Sequence, residues 1–335
     1  MIIQSITAEV QYIPLKTPFI TALRRVDTIE FVRLSVECEE GQVGIGEAPA
    51  TLAITGEDIE IILASIAKIR DKLIGLDVKL ALEELHKKSI GSSAKAALDM
   101  AFMSLLGFFR LQNKEPIRTD ITISLNEVAT MLEDAKEACE SGMDILKVKL
   151  GSDIKHAMEV TQKLSSILPK AQLLIDANQA WSLDDSLEYV NAVKSLKIEL
   201  LEQPVVAEGL DALKRVTSAT QIPILADEST FTLEDVKKVV NTQSADMINI
   251  KLMKCGGVSK AVEILEYAKA HDVKCMLGSM LEGPYSINAA LYLAFNYRDV
   301  IQYVDLDSPL LYKELPKELD FSFKGNLICF NGDKS

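Results

Sequence analysis

Over the first 50 residues apolar and polar positions alternate in three runs, IIQSITAEVQYIPL, IEFVRLSVECEE and GQVGIGEA, with EEGQ reading as a turn between the last two. A period of two sends successive side chains to opposite faces, so each run predicts a strand with one buried face. The period then changes. In EDIEIILASIAKIRDKLIG apolar residues recur every three or four positions, and SSAKAALDMAFMSLLGFFR opens on a serine cap and continues as an apolar stripe, so both predict helices. Residues 1–115 are therefore expected to form an α+β unit.

After NKEPIRTD the texture changes again. Short apolar runs, ITISL, ILKVKL, QLLIDAN, IELLEQP, IPILADES, MINIKL, KCMLGSM and VIQYVDLD, alternate with amphipathic helical patterns. Eight such units predict a parallel β/α barrel over residues 116–310, and the near-continuous hydrophobicity of the strands fits burial on both faces. The tail, residues 311–335, contains the strand-like stretch ELDFSFKGNLICFNGDKS and is expected to pack back on the first domain.

Charge narrows the partners. A formal net charge of -13 argues against nucleic acid and against an anionic membrane surface, leaving a small molecule as the expected ligand. The five cysteines are scattered and form no C-x-x-C pair, so neither a disulfide framework nor a zinc site is signalled. MIIQSITAEV lacks a basic stretch followed by an apolar one, so a cytoplasmic protein with reduced thiols is expected. Barrels of this kind commonly form homo-oligomers, and one is expected here by analogy.

Seven strands end in a polar residue that the apolar run does not predict: Lys149, Asp176, Glu202, Asp227, Lys251, Ser279 and Asp305. Their numbers rise in steps of 27, 26, 25, 24, 28 and 26, the length of one βα unit, so they stand at equivalent places in successive units. The carboxyl-terminal rim of a parallel barrel is where such residues converge. Asp176, Glu202 and Asp227 offer oxygen donors without His or Cys, the set preferred by a hard divalent cation such as Mg²⁺ that keeps positions open for substrate. Lys149 and Lys251 lie four units apart in a ring of eight, facing each other across those acids. A carboxylate held on the metal would present its α-carbon between the two amines. One lysine could remove the α-proton and the other return it on the opposite face, inverting the centre. Lys147 shares the side of the strand occupied by Lys149. With Mg²⁺ it would stabilise the second negative charge that builds up when a proton leaves a carbon next to a carboxylate. A free lysine, with a pKa of about 10.4, is a poor base at neutral pH. The metal, the other lysines and desolvation are expected to lower that value.

The stretches KVK, DAN, EQP, ADES and NIKLMKCGG, in this order and spacing over essentially the whole chain, resemble the muconate-lactonizing subgroup of the enolase superfamily. Enolase-superfamily sites use a Lys or His base with one or two Mg²⁺ ions, so here the resemblance and the residue reading agree without being independent. The resemblance implies a capping (lid) domain and a (β/α)7β modified TIM barrel in which the helix after the last strand is missing. Within the subgroup the chain looks like the dipeptide epimerases, especially those acting on L-Ala-D/L-Glu, and VDLDSPLL carries that likeness. Asp305 and Asp307 are again an i, i+2 pair of acceptors. In the family this motif holds the substrate's α-ammonium group, while the dipeptide's carboxyl-terminal carboxylate goes to Mg²⁺.

In TALRRVDTIE, Arg24 matches the position that binds a glutamate side chain, where a guanidinium can grip a carboxylate bidentately; Arg25 is the adjacent alternative. Ser279 and Met280 of GSMLEGP are implied to line the substrate, and Gly283 and Pro284 after Glu282 depart from some relatives. Asn178 and Glu228 are implied to orient ligands or lysines. His86, His156 and His271 fall in predicted helices or at a helix end, which argues against the superfamily's His-dependent dehydratases. The implied activity is Mg²⁺-dependent epimerisation of the carboxyl-terminal residue of a small-molecule dipeptide, L-Ala-D-Glu to L-Ala-L-Glu, in murein peptide recycling. The alternatives are epimerisation of apolar dipeptides, muconate cycloisomerisation, o-succinylbenzoate synthesis and N-acylamino acid racemisation.

Overall fold

The computed structural model describes residues 1–21 and 24–332. Strands β1 (Ile3–Ile20), β2 (Arg25–Cys38) and β3 (Val43–Pro49) form an antiparallel sheet in that order. Alternation along β2 sorts its residues onto two buried faces. Val32, Leu34, Val36 and Cys38 pack on helices, among them Ile62, Ile66 and Ile69, while Ile29 and Phe31 pack with Leu15, Leu281 and Tyr312 on the barrel side. The sheet is thus clamped between its own helices and the barrel mouth. β1 runs five residues past the predicted IIQSITAEVQYIPL: a register shift between Pro14 and Phe19 accommodates the two prolines, which cannot donate to the ladder, and pairing resumes at Phe19↔Val26 and Ile20↔Arg25. Arg24 therefore sits at the tip of a long hairpin.

Helices α1 (Leu52–Thr55), α2 (Ile59–Leu73), α3 (Val78–His86) and α4 (Ser92–Leu105) cover the sheet. α2 is capped by the Asp58 side chain, which accepts from Ile61 N at 2.8 Å. The serine cap predicted for α4 is not formed; its N-cap is Gly91, and the Glu57 carboxylate accepts from Ser93 N and Ala94 N instead. α4 lies so close to β3 that a Cβ at Gly46 would be 1.8 Å from Ala97 O.

The short β4 (Ile117–Arg118) leads to the parallel strands β5 (Ile121–Ile123), β6 (Ile145–Lys149), β7 (Gln172–Asp176), β8 (Leu200–Glu202), β9 (Ile224–Ala226), β10 (Met247–Ile250), β11 (Lys274–Gly278) and β12 (Ile301–Asp305). They form one sheet ordered β12-β11-β10-β9-β8-β7-β6-β5. Asp120 N donates to Val304 O at 3.2 Å and brings the two edges together. A helix joins each strand to the next, and β12 is followed only by the four-residue turn Ser308–Leu311, which makes the barrel (β/α)7β. The final hairpin, β13 (Phe321–Lys324) and β14 (Leu327–Phe330), pairs with β4, and Tyr312 makes a bridge to Leu15 of β1. No helix among the described residues is long and apolar enough to cross a membrane.

Candidate active site

The barrel interior is built in layers, and the period of two explains each. Ile145, Leu174, Leu200, Leu225, Met247 and Met276, with Tyr303, form an apolar plug of inward-facing side chains. Two residues further along each strand the inward positions are Lys147, Asp176, Glu202, Asp227, Asn249, Gly278 and Asp305. All the side chains of this second layer are buried, on a floor that excludes water from below. Lys149 and Lys251 occupy the next inward positions of β6 and β10, one layer nearer the mouth. The seven strand-end residues therefore do not share one level, as their spacing suggested: three acids and Asp305 lie beside Lys147, with the two other lysines above them. β6 and β10 are four places apart in the eight-stranded order, so Lys149 and Lys251 do face each other. Both line one pocket at the mouth with Asn178, Ser279, Met280, Asp305, Asp307 and Arg24.

Ion pairs fill the second layer. Lys147 Nζ donates to the Asp305 carboxylate and lies 2.8 Å from Glu202 Oε2 and 3.6 Å from Asp176 Oδ2. Lys149 Nζ donates to Asp176 Oδ2 at 2.5 Å, and Lys251 Nζ to Asp227 Oδ2 at 2.6 Å. Burial is the largest influence on Lys251 and opposes its charge, but Asp227 beside it, Glu202 and Glu228 together outweigh burial and hold the ammonium above the usual lysine value, opposite to the lowering expected from sequence. Burial likewise works against ionised Asp227, and Lys251 and Lys254 more than offset it, so this acid stays below its ordinary value. Burial and then Asp227 raise Glu228 to about 8; burial and then Asp305 raise Asp307 to about 6.

Sequence reading missed several members. Lys254 is buried and donates to Asp227 Oδ1 at 2.5 Å and to Asn249 O at 2.9 Å. It stands on a four-residue helix three residues after Lys251, a spacing that returns the side chain to the same face. Asn249 donates to Glu202 Oε1 at 2.8 Å, and counting back two from Lys251 would have found it. Gln203, at φ 34°, accepts from Asp227 N and Ser229 N and so fixes the backbone of the next strand end. Asp120 is fully buried beside Asp305 and Asp307; it precedes β5, and no strand-end pattern marks it.

Arg24 and Arg25 part company. Arg25 pairs with Asp27 at 3.1 Å on the exposed side of the hairpin. Arg24 turns into the pocket, where its guanidinium has no acid or hydrogen-bond partner among the described residues, and burial lowers its pKa to about 10. Asn178 donates to Glu228 Oε1 and its backbone N–H to Asp176 Oδ1 at 2.9 Å, so it orients acids around the floor. Trp181 donates from Nε1 to Gly151 O and packs on Tyr189, a structural role.

This two-domain arrangement has relatives. Residues 3–113 match the mandelate racemase/muconate lactonizing enzyme N-terminal domain, and residues 130–326 match the enolase C-terminal domain-like family. The chain belongs to the mandelate racemase/muconate lactonizing enzyme family of the enolase superfamily. It is 58% identical to an L-amino acid-D/L-Glu epimerase of Sulfurimonas denitrificans, over 97% of this chain and 98% of the relative. The solved structure of a substrate-liganded L-Ala-D/L-Glu epimerase from Bacillus subtilis is 36% identical and superposes with a TM-score of 0.92, covering 99% of this chain and 97% of that one. A dipeptide epimerase from Enterococcus faecalis, solved with Mg and L-Leu-L-Tyr, is 31% identical with a TM-score of 0.91, covering 99% and 98%. The family member described here is an isomerase of the epimerase type.

Proposed function

We propose that the chain is a Mg²⁺-dependent dipeptide epimerase that inverts the α-carbon of a carboxyl-terminal glutamate, with L-Ala-D-Glu/L-Ala-L-Glu as the substrate pair. The observation that carries this reading is the lining of one pocket: two opposed lysines in the middle, Asp305 and Asp307, and an Arg24 whose guanidinium has no partner among the described residues. A dipeptide with an acidic second residue supplies a matching group for each: ammonium for the acids, α-carbon for the lysines, side-chain carboxylate for Arg24.

The floor fits a hard cation. Asp176, Glu202 and Asp227 are fully buried oxygen donors from three adjacent strands, and Asp176 and Glu202 are in direct register. Glu202 Oε2 has no aligned hydrogen-bond donor despite its proximity to Lys147, and Glu228 Oε2 has none either. These three acids would hold Mg²⁺, which supplies positive charge next to the substrate carboxylate. Lys147 adds a second positive charge at the same place. Lys149 and Lys251 exchange the α-proton on opposite faces. For Lys251 to act as a base it must loosen its pairing with Asp227, and coordination of Asp227 is the change that would do so. The free thiols fit the cytoplasm, where murein peptides are recycled.

The test is ¹H NMR in D₂O with Mg²⁺ and L-Ala-L-Glu. The glutamate α-proton signal is expected to vanish as the second diastereomer grows in. Lys149→Met and Lys251→Met are each expected to lose epimerisation while one diastereomer still exchanges its α-proton. Exchange confined to N-acylamino acids would overturn the dipeptide reading.

A further inference from the structure

Asp120 is fully buried, and among the described residues neither of its carboxylate oxygens meets an N–H or O–H donor. Its position is fixed. The Asp120 N–H donates to Val304 O at 3.2 Å, Thr119 Oγ1 donates to the same oxygen at 3.1 Å, and Leu306 N donates to Thr119 Oγ1 at 3.3 Å. Facing it are two further acids, Asp305 and Asp307, each with an oxygen within 4.8 Å of an Asp120 oxygen. Two such carboxylates can hydrogen-bond to each other only with a proton between them.

The charges facing Asp120 decide which acid carries that proton. Asp305 and Asp307 come from the end of β12, and Lys147 comes from β6; the three acids each bring an oxygen within 4.8 Å of the other two. Lys147 is bonded to Asp305 and shared with Glu202 and Asp176, so it cannot neutralise three carboxylates. Like charges so close in a buried site do not all ionise. Asp307 accepts from Thr122 N at 2.7 Å and Asp305 from Lys147, contacts that favour their charged forms. Asp120 has no such help. Burial first, then Asp305 and Asp307, push it well above the usual aspartate value.

We infer that Asp120 is a positioning residue that holds a proton at neutral pH and donates it to Asp305, leaving Asp305 and Asp307 as the charged pair that receives the substrate's ammonium group. The inference rests on the dipeptide reading for the ammonium alone. Its chemical logic is selectivity: a third charge in the cluster would suit a divalent cation better than an ammonium ion.

The experiment compares the full-length enzyme with Asp120→Asn and Asp120→Leu. A wild-type minus Asp120→Asn infrared difference spectrum at pH 8 is expected to contain a carboxylic-acid C=O band, and its absence overturns the proton assignment. Glu228 and other raised acids cancel in this difference. Asn keeps an N–H donor where the acid had O–H, so Asp120→Asn is expected to keep its KM within about threefold, whereas Asp120→Leu raises KM about tenfold with a smaller change in kcat. Asp120→Asn as impaired as Asp120→Leu would overturn the proposal. So would loss of a Mg²⁺-binding event in Asp120→Asn by calorimetry, which would make the cluster a cation site. The infrared measurement needs no substrate and stands whether or not the dipeptide reading does, and it does not depend on Asp120→Leu folding.

Discussion

Arg24→Met separates binding from stability because its two effects have opposite signs. In the free protein the guanidinium lies in the pocket without a partner among the described residues, and burial lowers its pKa from the ordinary arginine value to about 10. That difference corresponds to ~3 kcal/mol of lost solvation, and the partial exposure of the hairpin tip reduces it to ~1–2 kcal/mol. Methionine fills similar space without this cost, so Arg24→Met is expected to melt a few °C higher. The loss appears with substrate. Hydrogen bonds to charged groups are worth ~1.5–3 kcal/mol each, and a bidentate pair less the cost of dehydrating the carboxylate leaves ~3 kcal/mol. kcat/KM for L-Ala-L-Glu should fall about 100-fold, while that for L-Ala-L-Leu, which offers nothing to a guanidinium, should hold or rise. The assay is α-proton exchange with both dipeptides beside a thermal melt. An equal loss for the two dipeptides, or a lower melting temperature, would refute the idea that Arg24 is an unpaired cation awaiting an acidic side chain.

Three other changes probe the scaffold. Lys254→Met removes a buried donor from Asp227 and is expected to cost ~3 kcal/mol in denaturant titration, the low end for a broken buried pair because Lys251 remains, and to weaken Mg²⁺ ~10–100-fold by calorimetry. Glu282 is buried, and burial raises its carboxyl from 4.5 to about 7, so its protonated form favours folding below pH 4.5 and that stability, ~3 kcal/mol, is lost as pH rises through 7. Glu282→Gln should flatten the fall in stability between pH 5 and 8; an unchanged slope counts against the assignment. Gly46→Ala places a methyl 1.8 Å from the Ala97 carbonyl oxygen of α4, backbone that cannot step aside, and should destabilise by ~3 kcal/mol or more in urea, with a cost under 1 kcal/mol contradicting the packing.

The barrel was legible because its chemistry obeys the same period as its core. Ile145, Lys147 and Lys149 are one inward-facing line on β6, so an apolar residue, a floor charge and a mouth charge follow at i, i+2 and i+4. Spacing alone could not rank the lysines by depth, since seven strand ends of unequal length look equivalent in sequence. Contacts that join distant segments were invisible for a different reason. Glu57 caps α4 across 36 residues, and Asp120 reaches Asp305 only because β5 closes on β12. Arg24 was identified through resemblance and not through pattern: the alternating run was read only as far as Leu15, whereas the strand continues to Ile20 through a register shift.

The two domains divide the work along a physical boundary. Every proposed group that handles the α-proton or the metal stands on a barrel strand end, held by parallel neighbours on both sides, and Arg24 stands on a hairpin tip beyond the last paired residues. Yet the tip is not independent of the barrel. Ile29 and Phe31, on the face of β2 opposite its helices, pack on Leu281, the residue after Met280, and on Tyr312, whose hydroxyl donates to Glu282 O. Glu47 of β3 accepts from Tyr285 N and Ser286 N and so binds the sheet to the first turn of the barrel's Pro284–Asn296 helix. The hairpin proposed to carry the side-chain specificity is therefore docked on the loop that lines the proposed reacting centre. Substitutions at Arg24 are expected to change which dipeptide is accepted, and substitutions at Phe31 or Glu47 should instead shift every substrate together, because they move the wall and the tip as one body.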